Sequence, residues 1–184
     1  REEAHTTRGR ANVLRLAMAG RLGESGLGDQ GVYNVLDLCL ECRACKAECP
    51  VGVDVARFKS EFLADYWKRH GTPLHARVLG SAHEIAKWGS SFLNPVVRSK
   101  QVKVLNERVF GIDRRRGLPE WSSRTFKELA RSSADPDVFL FSDTFTNYYN
   151  PEIGTAAIDV LKAAGLKVGV APNVCCGRPL ISKG

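Results

Sequence analysis

The chain has 184 residues, of which 43% are hydrophobic and 26% charged, a balance that excludes a disordered tail and allows one domain or two small ones. Its 27 Lys and Arg against 20 Asp and Glu leave a net charge of +7. No apolar run approaches the roughly 18 residues that would cross a bilayer, and residues 1–20 lack the ordering of a secretory signal. A cytoplasmic location is expected, with peripheral attachment to the cytoplasmic membrane as its one variant.

The first element is a helix over 10–19, built from good helix formers and stopped at Gly20, followed by a flexible link through Gly23, Gly26, Gly28 and Gly31. A short helix over 32–40 comes next. After a cysteine run closed by Pro50, Asp54 is placed to cap a helix that carries Val55, Phe58, Phe62, Leu63 and Tyr66 on one face and ends near Gly71. Residues 74–110 read as helical pieces broken at Gly89 and at Asn94-Pro95. The stretch 111–136, with Gly, Pro, Ser and Arg114-Arg115-Arg116, reads as a basic linker.

Beyond it the periodicity changes. Residues 137–142 form a short buried-strand pattern, and Pro151 opens a helix that turns Ile153, Ala157, Val160, Leu161 and Ala164 inward before Gly165. A second strand covers 166–171. This order is a βαβ unit, whose ligands belong at the carboxyl ends of the strands, here 143–145 and 173–176. The chain is therefore expected to divide near residue 135, into a helical part and an α/β part.

Six cysteines occupy two places only, 39–49 and 175–176. Disulfides within so short a run close tiny loops and stabilise little, so reduced thiols in a reducing compartment are expected. The spacing Cys39-x2-Cys42-x2-Cys45-x3-Cys49-Pro50 is the bacterial ferredoxin pattern for a [4Fe–4S] cluster. Three thiolates two residues apart reach three corners of a cube from one tight turn, while the fourth leaves on a new chain direction. Leu38, Leu40, Val51 and Val53 are candidates for the dry shell such a cluster needs. Zinc, which commonly takes paired C-x2-C units across a long loop, fits this compact run poorly. In two-cluster ferredoxins the fourth cysteine ligates the other cluster. Either Cys49 closes a single cluster here, or it serves a neighbour.

Residues 1–12 (REEAHTTRGRAN), 39–50 (CLECRACKAECP), 53–62 (VDVARFKSEF) and 175–184 (CCGRPLISKG) together resemble the iron–sulfur C-terminal region of fused FAD-linked D-2-hydroxyacid dehydrogenases, which oxidise D-lactate, glycolate or D-2-hydroxyglutarate. The resemblance implies an FAD-binding oxidase domain upstream, with a further cysteine run, and so a chain cut from a larger flavin enzyme. It also implies an α-helical ferredoxin-type domain over 1–110, then the basic linker 111–136, then the first βαβ half of an α/β CCG domain over 137–184. Cys175-Cys176-Gly177 resembles the CCG signature of heterodisulfide-reductase-like and glycerol-3-phosphate dehydrogenase iron–sulfur subunits. There an earlier Cys precedes it, and Thr144 stands in that place here. Cys175 and Cys176 are thus a second metal site only by resemblance, and adjacent cysteines by themselves read first as inert thiols.

The implied function is electron relay from flavin to a quinone or an acceptor protein, without dehydrogenase activity in this chain alone. An iron–sulfur subunit of a glycerol-3-phosphate dehydrogenase or heterodisulfide-reductase-like complex is the near alternative. A zinc-stabilised basic binding module is the alternative of another class. Residues 92–131 hold ten Lys and Arg against four Asp and Glu, which suits an acidic partner, a membrane surface or a solvated face. No helix-turn-helix, RRM or finger pattern accompanies this charge, so nucleic acid is not expected as a partner. His5, His70, His75 and His83 read as structural or exposed, with His5 of slightly more interest. No Walker loop, dinucleotide fingerprint or nucleophile elbow is present in the sequence.

Overall fold

The structure, a computed structural model, describes residues 2–23 and 25–184. In chain order its helices and strands are α1 Thr7–Met18, α2 Gln30–Asp37, α3 Ala44–Glu48, α4 Val55–His70, α5 Leu74–Gly80, α6 Ala82–Trp88, α7 Asn94–Arg98, α8 Lys100–Phe110, α9 Phe126–Leu129, β1 Val138–Leu140, α10 Thr144–Tyr148, α11 Pro151–Ala163, β2 Val168–Val170 and α12 Arg178–Ser182. Most are helical, and the two strands pair in parallel in the register Val138 to Val168, Phe139 to Gly169 and Leu140 to Val170.

Local capping explains the ends. Thr6 Oγ1 accepts from Gly9 N at 3.0 Å, so α1 begins three residues before the apolar pattern that announces it. Asp29 Oδ1 accepts from Gly31 N and Val32 N at the start of α2. That helix stops at Asp37 rather than at 40: Leu38 caps it, and Cys39 N donates to Leu36 O at 2.9 Å in place of the next helical bond. Asp54 Oδ1 accepts from Arg57 N at 3.1 Å and Gly71 ends α4 at φ 79°, as the sequence pattern predicts.

The chain forms two compact units, one of residues 1–77 with 180–184 and one of 78–179. In the first, Leu14 and Ala17 of α1, Val32 and Leu36 of α2, and Phe62, Leu63 and Tyr66 of α4 make one core. Tyr66 stacks on Tyr33 at 5.0 Å and donates its hydroxyl to Gln30 Oε1 at 2.6 Å, which gives the buried phenol the partner it needs. Trp67 Nε1 donates to Lys183 O at 2.8 Å and ties the last residues to this unit. Phe58, expected on the core face of α4, is half exposed. The buried face runs instead through Val55, Ala56, Lys59, Phe62, Leu63 and Tyr66.

In the second unit Phe126, Ile158 and Val168 form the core, with Val138, Leu140, Leu161 and Val170 against them. The stretch 111–136, expected as a linker, lies inside this unit and supplies Phe126. A capping box of Thr125 and Glu128 starts α9, Lys127 N donates to Asn147 Oδ1, and Ser133 N donates to Val168 O. The division at 77/78, rather than near 135, follows from that engagement and from α6, where His83 Nδ1 lies 2.9 Å from Thr144 Oγ1 and Ala86 O accepts from Trp121 Nε1 at 3.1 Å. The inward face of α11 also differs from expectation: Pro151, Gly154 and Ile158 are buried, whereas Ile153 and Val160 are exposed. Gly154 decides this, since a Cβ there would lie 2.6 Å from the Phe126 ring. The helix rolls its smallest residue toward the largest aromatic of the core.

Candidate metal centre

The cysteine run occupies the connection between α2 and α4, with Cys45 inside the short α3. Cys39, Cys42 and Cys45 line one cavity of about 330 Å³, together with Thr7 and Arg10 of α1 and Val55 and Ala56 of α4. That volume is at the low end of the roughly 300–1,000 Å³ that small bound groups occupy. All six cysteines are free thiols; Cys42 and Cys176 are exposed and the other four partly buried. Among the described residues no group of three or more His, Cys, Asp or Glu side chains is gathered tightly enough to hold a single metal ion.

Glu41 and Arg43, alternating with the cysteines, both take the left-handed backbone conformation. For non-glycine residues this conformation costs about 1–2 kcal/mol each, and it persists where the surroundings over-determine it, as functional loops often require. Such residues shape concavities of backbone N–H groups of the kind that receive anions and iron–sulfur centres. Two sets of contacts hold the loop here. Beneath it, Lys59 Nζ lies 3.4 Å from Glu41 Oε1 in an ion pair whose side chains are 5% and 3% exposed. The same ammonium donates to Cys39 O at 2.8 Å and to Asp37 O at 3.4 Å. Beside it, Asp54 Oδ2 lies 3.9 Å from Arg43 Nε and 3.7 Å from Lys46 Nζ. Lys59 escaped the sequence pattern because a lysine within an amphipathic helix normally marks the solvated face.

The Arg57 N–H first, and then the Arg43 and Lys46 cations, hold the Asp54 carboxyl below its ordinary value of 3.8. A carboxyl whose pKa is lower in the folded than in the unfolded chain adds stability above the unfolded value and loses it as pH falls through the folded one. Asp54→Asn is accordingly expected to lower the urea midpoint at neutral pH. The gap should hold down to about the ordinary value and close below it. A gap that widens on acidification would contradict the assignment.

Cys49 does not line the cavity of the other three. Gly52, in the left-handed region at φ 66°, reverses the chain after Pro50, with Gly52 N bonded to Cys49 O at 3.0 Å. Backbone N–H groups of Val53 and then Val51 hold the Cys49 thiol below its ordinary value, against an opposing effect of burial. The thiolate, which is the ligating form, is thereby favoured. The expected dry shell is only partly there: Leu38 and Leu40 line the cavity but are exposed, as is Val51, and Val55 and Ala56 supply the buried apolar wall instead. Soft thiolate donors at this spacing have the chemistry that iron–sulfur groups use.

At the other cysteine pair, Cys175 Sγ accepts from Gly177 N at 3.4 Å. The carboxyl ends of the two strands do meet, since Asn173 Nδ2 donates to Ser142 O at 2.9 Å and to Asp143 O at 3.3 Å. Thr144 is buried, with its hydroxyl 2.9 Å from His83 Nδ1. His83 therefore has a structural partner, as do His70, which lies on Gly28 O and the Tyr66 ring, and His5, which faces Glu2.

A D-2-hydroxyglutarate dehydrogenase of Pseudomonas putida is 27% identical to this chain over 232 aligned positions, which take in all of the chain and 23% of that protein. One subunit of the anaerobic glycerol-3-phosphate dehydrogenase of Escherichia coli K12 is 33% identical over 117 positions, covering 60% of the chain and 29% of that protein. An uncharacterized iron–sulfur protein of Methanococcus maripaludis is 27% identical over 163 positions, covering 85% of the chain and 26% of that protein. The chain thus spans about a quarter of the length of these relatives, which are oxidoreductase polypeptides and an iron–sulfur protein. No protein-family profile and no solved structure matches it.

Proposed function

We propose that the chain is the electron-transfer iron–sulfur module of an FAD-linked 2-hydroxyacid dehydrogenase. In this reading a ferredoxin-type helical part is followed by half of a CCG-type α/β part. The carrying observation is that Cys39, Cys42 and Cys45, spaced as in bacterial ferredoxins, line a single cavity. Cys39, Cys42 and Cys45 hold the [4Fe–4S] cluster, and Cys49, which does not line their cavity, serves a neighbouring one. When bound, the cluster supplies one-electron transfer at a potential set by burial and by hydrogen bonds to its sulfurs. Lys59 and Glu41 fix the loop from below, and Asp54 anchors its basic outer residues. Substrate oxidation belongs to an FAD-binding domain, and a quinone or an acceptor protein takes the electrons. The similarity to part of a glycerol-3-phosphate dehydrogenase supports a second reading, as the iron–sulfur subunit of an assembly of that type, with the same role for the three cysteines.

Anaerobic reconstitution with ferrous iron and sulfide, followed by iron and acid-labile sulfide analysis and EPR of the reduced protein, tests both readings. Cys39→Ser, Cys42→Ser and Cys45→Ser are each expected to abolish the signal, whereas Cys49→Ser keeps most of the iron. Less than about one iron per wild-type chain defeats the proposal. Equal loss in all four variants would put Cys49 on the same cluster.

A further inference from the structure

The buried stripe of α1 runs through Leu14 and Ala17. Arg10 stands on that stripe one turn toward the amino end, at the i, i+4, i+7 spacing that shares a helix face. An apolar side chain is the ordinary occupant of such a place. Here a partly buried arginine lines the cavity that Cys39, Cys42 and Cys45 share. Its Nε donates to Val35 O at 3.3 Å, which ties the side chain to α2. A guanidinium carries five N–H donors. Among the described residues Arg10 makes this one hydrogen bond and no ion pair.

The other charged side chains of the cavity wall are Glu41 and Arg43. Glu41 Oε1 lies 3.4 Å from Lys59 Nζ, and Arg43 Nε lies 3.9 Å from Asp54 Oδ2. Arg10 is therefore the cation of this wall that no carboxylate among the described residues offsets. Thr7, the first residue of α1, lines the same cavity, so the positive end of that helix dipole lies in the wall too. A partly buried guanidinium with unused donors requires anionic acceptors. Three thiolates and the sulfides they would share with iron are such acceptors.

We propose that Arg10 tunes the metal centre: its guanidinium supplies a fixed positive charge and N–H donors to the sulfurs of an iron–sulfur group held by Cys39, Cys42 and Cys45, and thereby raises the reduction potential. The inference rests on the iron–sulfur reading of those three cysteines. Reduction adds one electron and one negative charge, with no bond made or broken. A cation fixed in the wall favours the form that carries the added charge, and hydrogen bonds to sulfur act in the same direction. The electron donor is reduced flavin in the assembled enzyme and a set of mediator dyes in the test. Arg10 acts without binding iron, because an arginine has no acceptor or ligating lone pair to give.

The test is an EPR-monitored redox titration of the reconstituted chain beside Arg10→Gln, Arg10→Lys and Arg15→Gln. Arg10→Gln is expected to keep its iron and acid-labile sulfide but to weaken the reduced form about tenfold, a fall of about 59 mV for one electron. Arg10→Lys keeps the charge and should stay much closer to the wild type. Arg15→Gln removes the same charge from the same helix outside the cavity, and no shift is expected. Iron in every chain with equal potentials overturns this inference alone, as does an equal fall in Arg10→Gln and Arg10→Lys, or in Arg15→Gln. Loss of iron from both Arg10 variants would make Arg10 a structural residue and overturns it as well. If only Arg10→Gln loses iron, the potential of Arg10→Lys decides: a value near the wild type supports the proposal and a large fall defeats it. Failure of the wild-type chain to take up iron defeats the iron–sulfur reading itself, and this inference with it.

Discussion

Lys59→Met is expected to destabilise the first unit by about 3–5 kcal/mol, the range for removing one partner of a buried ion pair. The substitution withdraws the ammonium 3.4 Å from a carboxylate that is almost wholly buried, and with it the donor to Cys39 O and Asp37 O. Methionine fills the volume of the lysine stem, so little of the loss comes from packing. Pairing it with Glu41→Gln removes the charge left in the interior, and the double variant should recover a large part of the stability. A urea-unfolding cycle over the four proteins measures the coupling. Additive losses would mean that the two side chains do not act as a pair. Because Lys59 also holds the first residue of the cysteine run, Lys59→Met should slow iron incorporation as well, even where the protein is still folded.

Phe126→Ala should cost about 3–5 kcal/mol in the second unit. Its core is small, and Phe126 is its largest fully buried side chain, touching Ile158 and Val168 and lying under Gly154. The cavity left by the ring has few neighbours able to collapse into it, because the backbone of α11 already approaches as closely as a glycine allows. Hydrogen exchange should show the amides of β1 and β2 losing protection, since both strands rest on this cluster. Phe126→Leu, which keeps much of the volume, should cost markedly less. Unchanged protection in Phe126→Ala would show that the sheet is held elsewhere.

The features that could be read from the sequence are those written within one turn or one short run. Asp54 and Gly71 bound α4 because a cap and a positive-φ stop act within three or four residues. The two strands lie inside 137–142 and 166–171 because short apolar runs flanked by turn residues have few other uses. The spacing of Cys39, Cys42 and Cys45 is equally local, and the three side chains line one cavity. The basic charge of residues 92–131 shows in composition, but the exposure of Trp88 and Phe92 does not.

What composition and spacing determined about this protein is the cysteine run with its ferredoxin pattern, the helix and strand order, and the basic segment before residue 131. Tertiary structure alone decided which side chains meet. It buried Lys59 against Glu41 eighteen residues away, drew Phe126 out of an apparent linker into a core, and rolled α11 onto Gly154 instead of Val160. It also left Cys49 out of the lining of the cavity that its three neighbours share, next to a turn at Gly52. The physical reason is common to all four. A helical pattern with apolar or ambiguous residues on two faces permits more than one inward side, and a turn permits more than one exit. The choice falls to long-range packing and to the cost of leaving a charge or a large ring without the surroundings it requires.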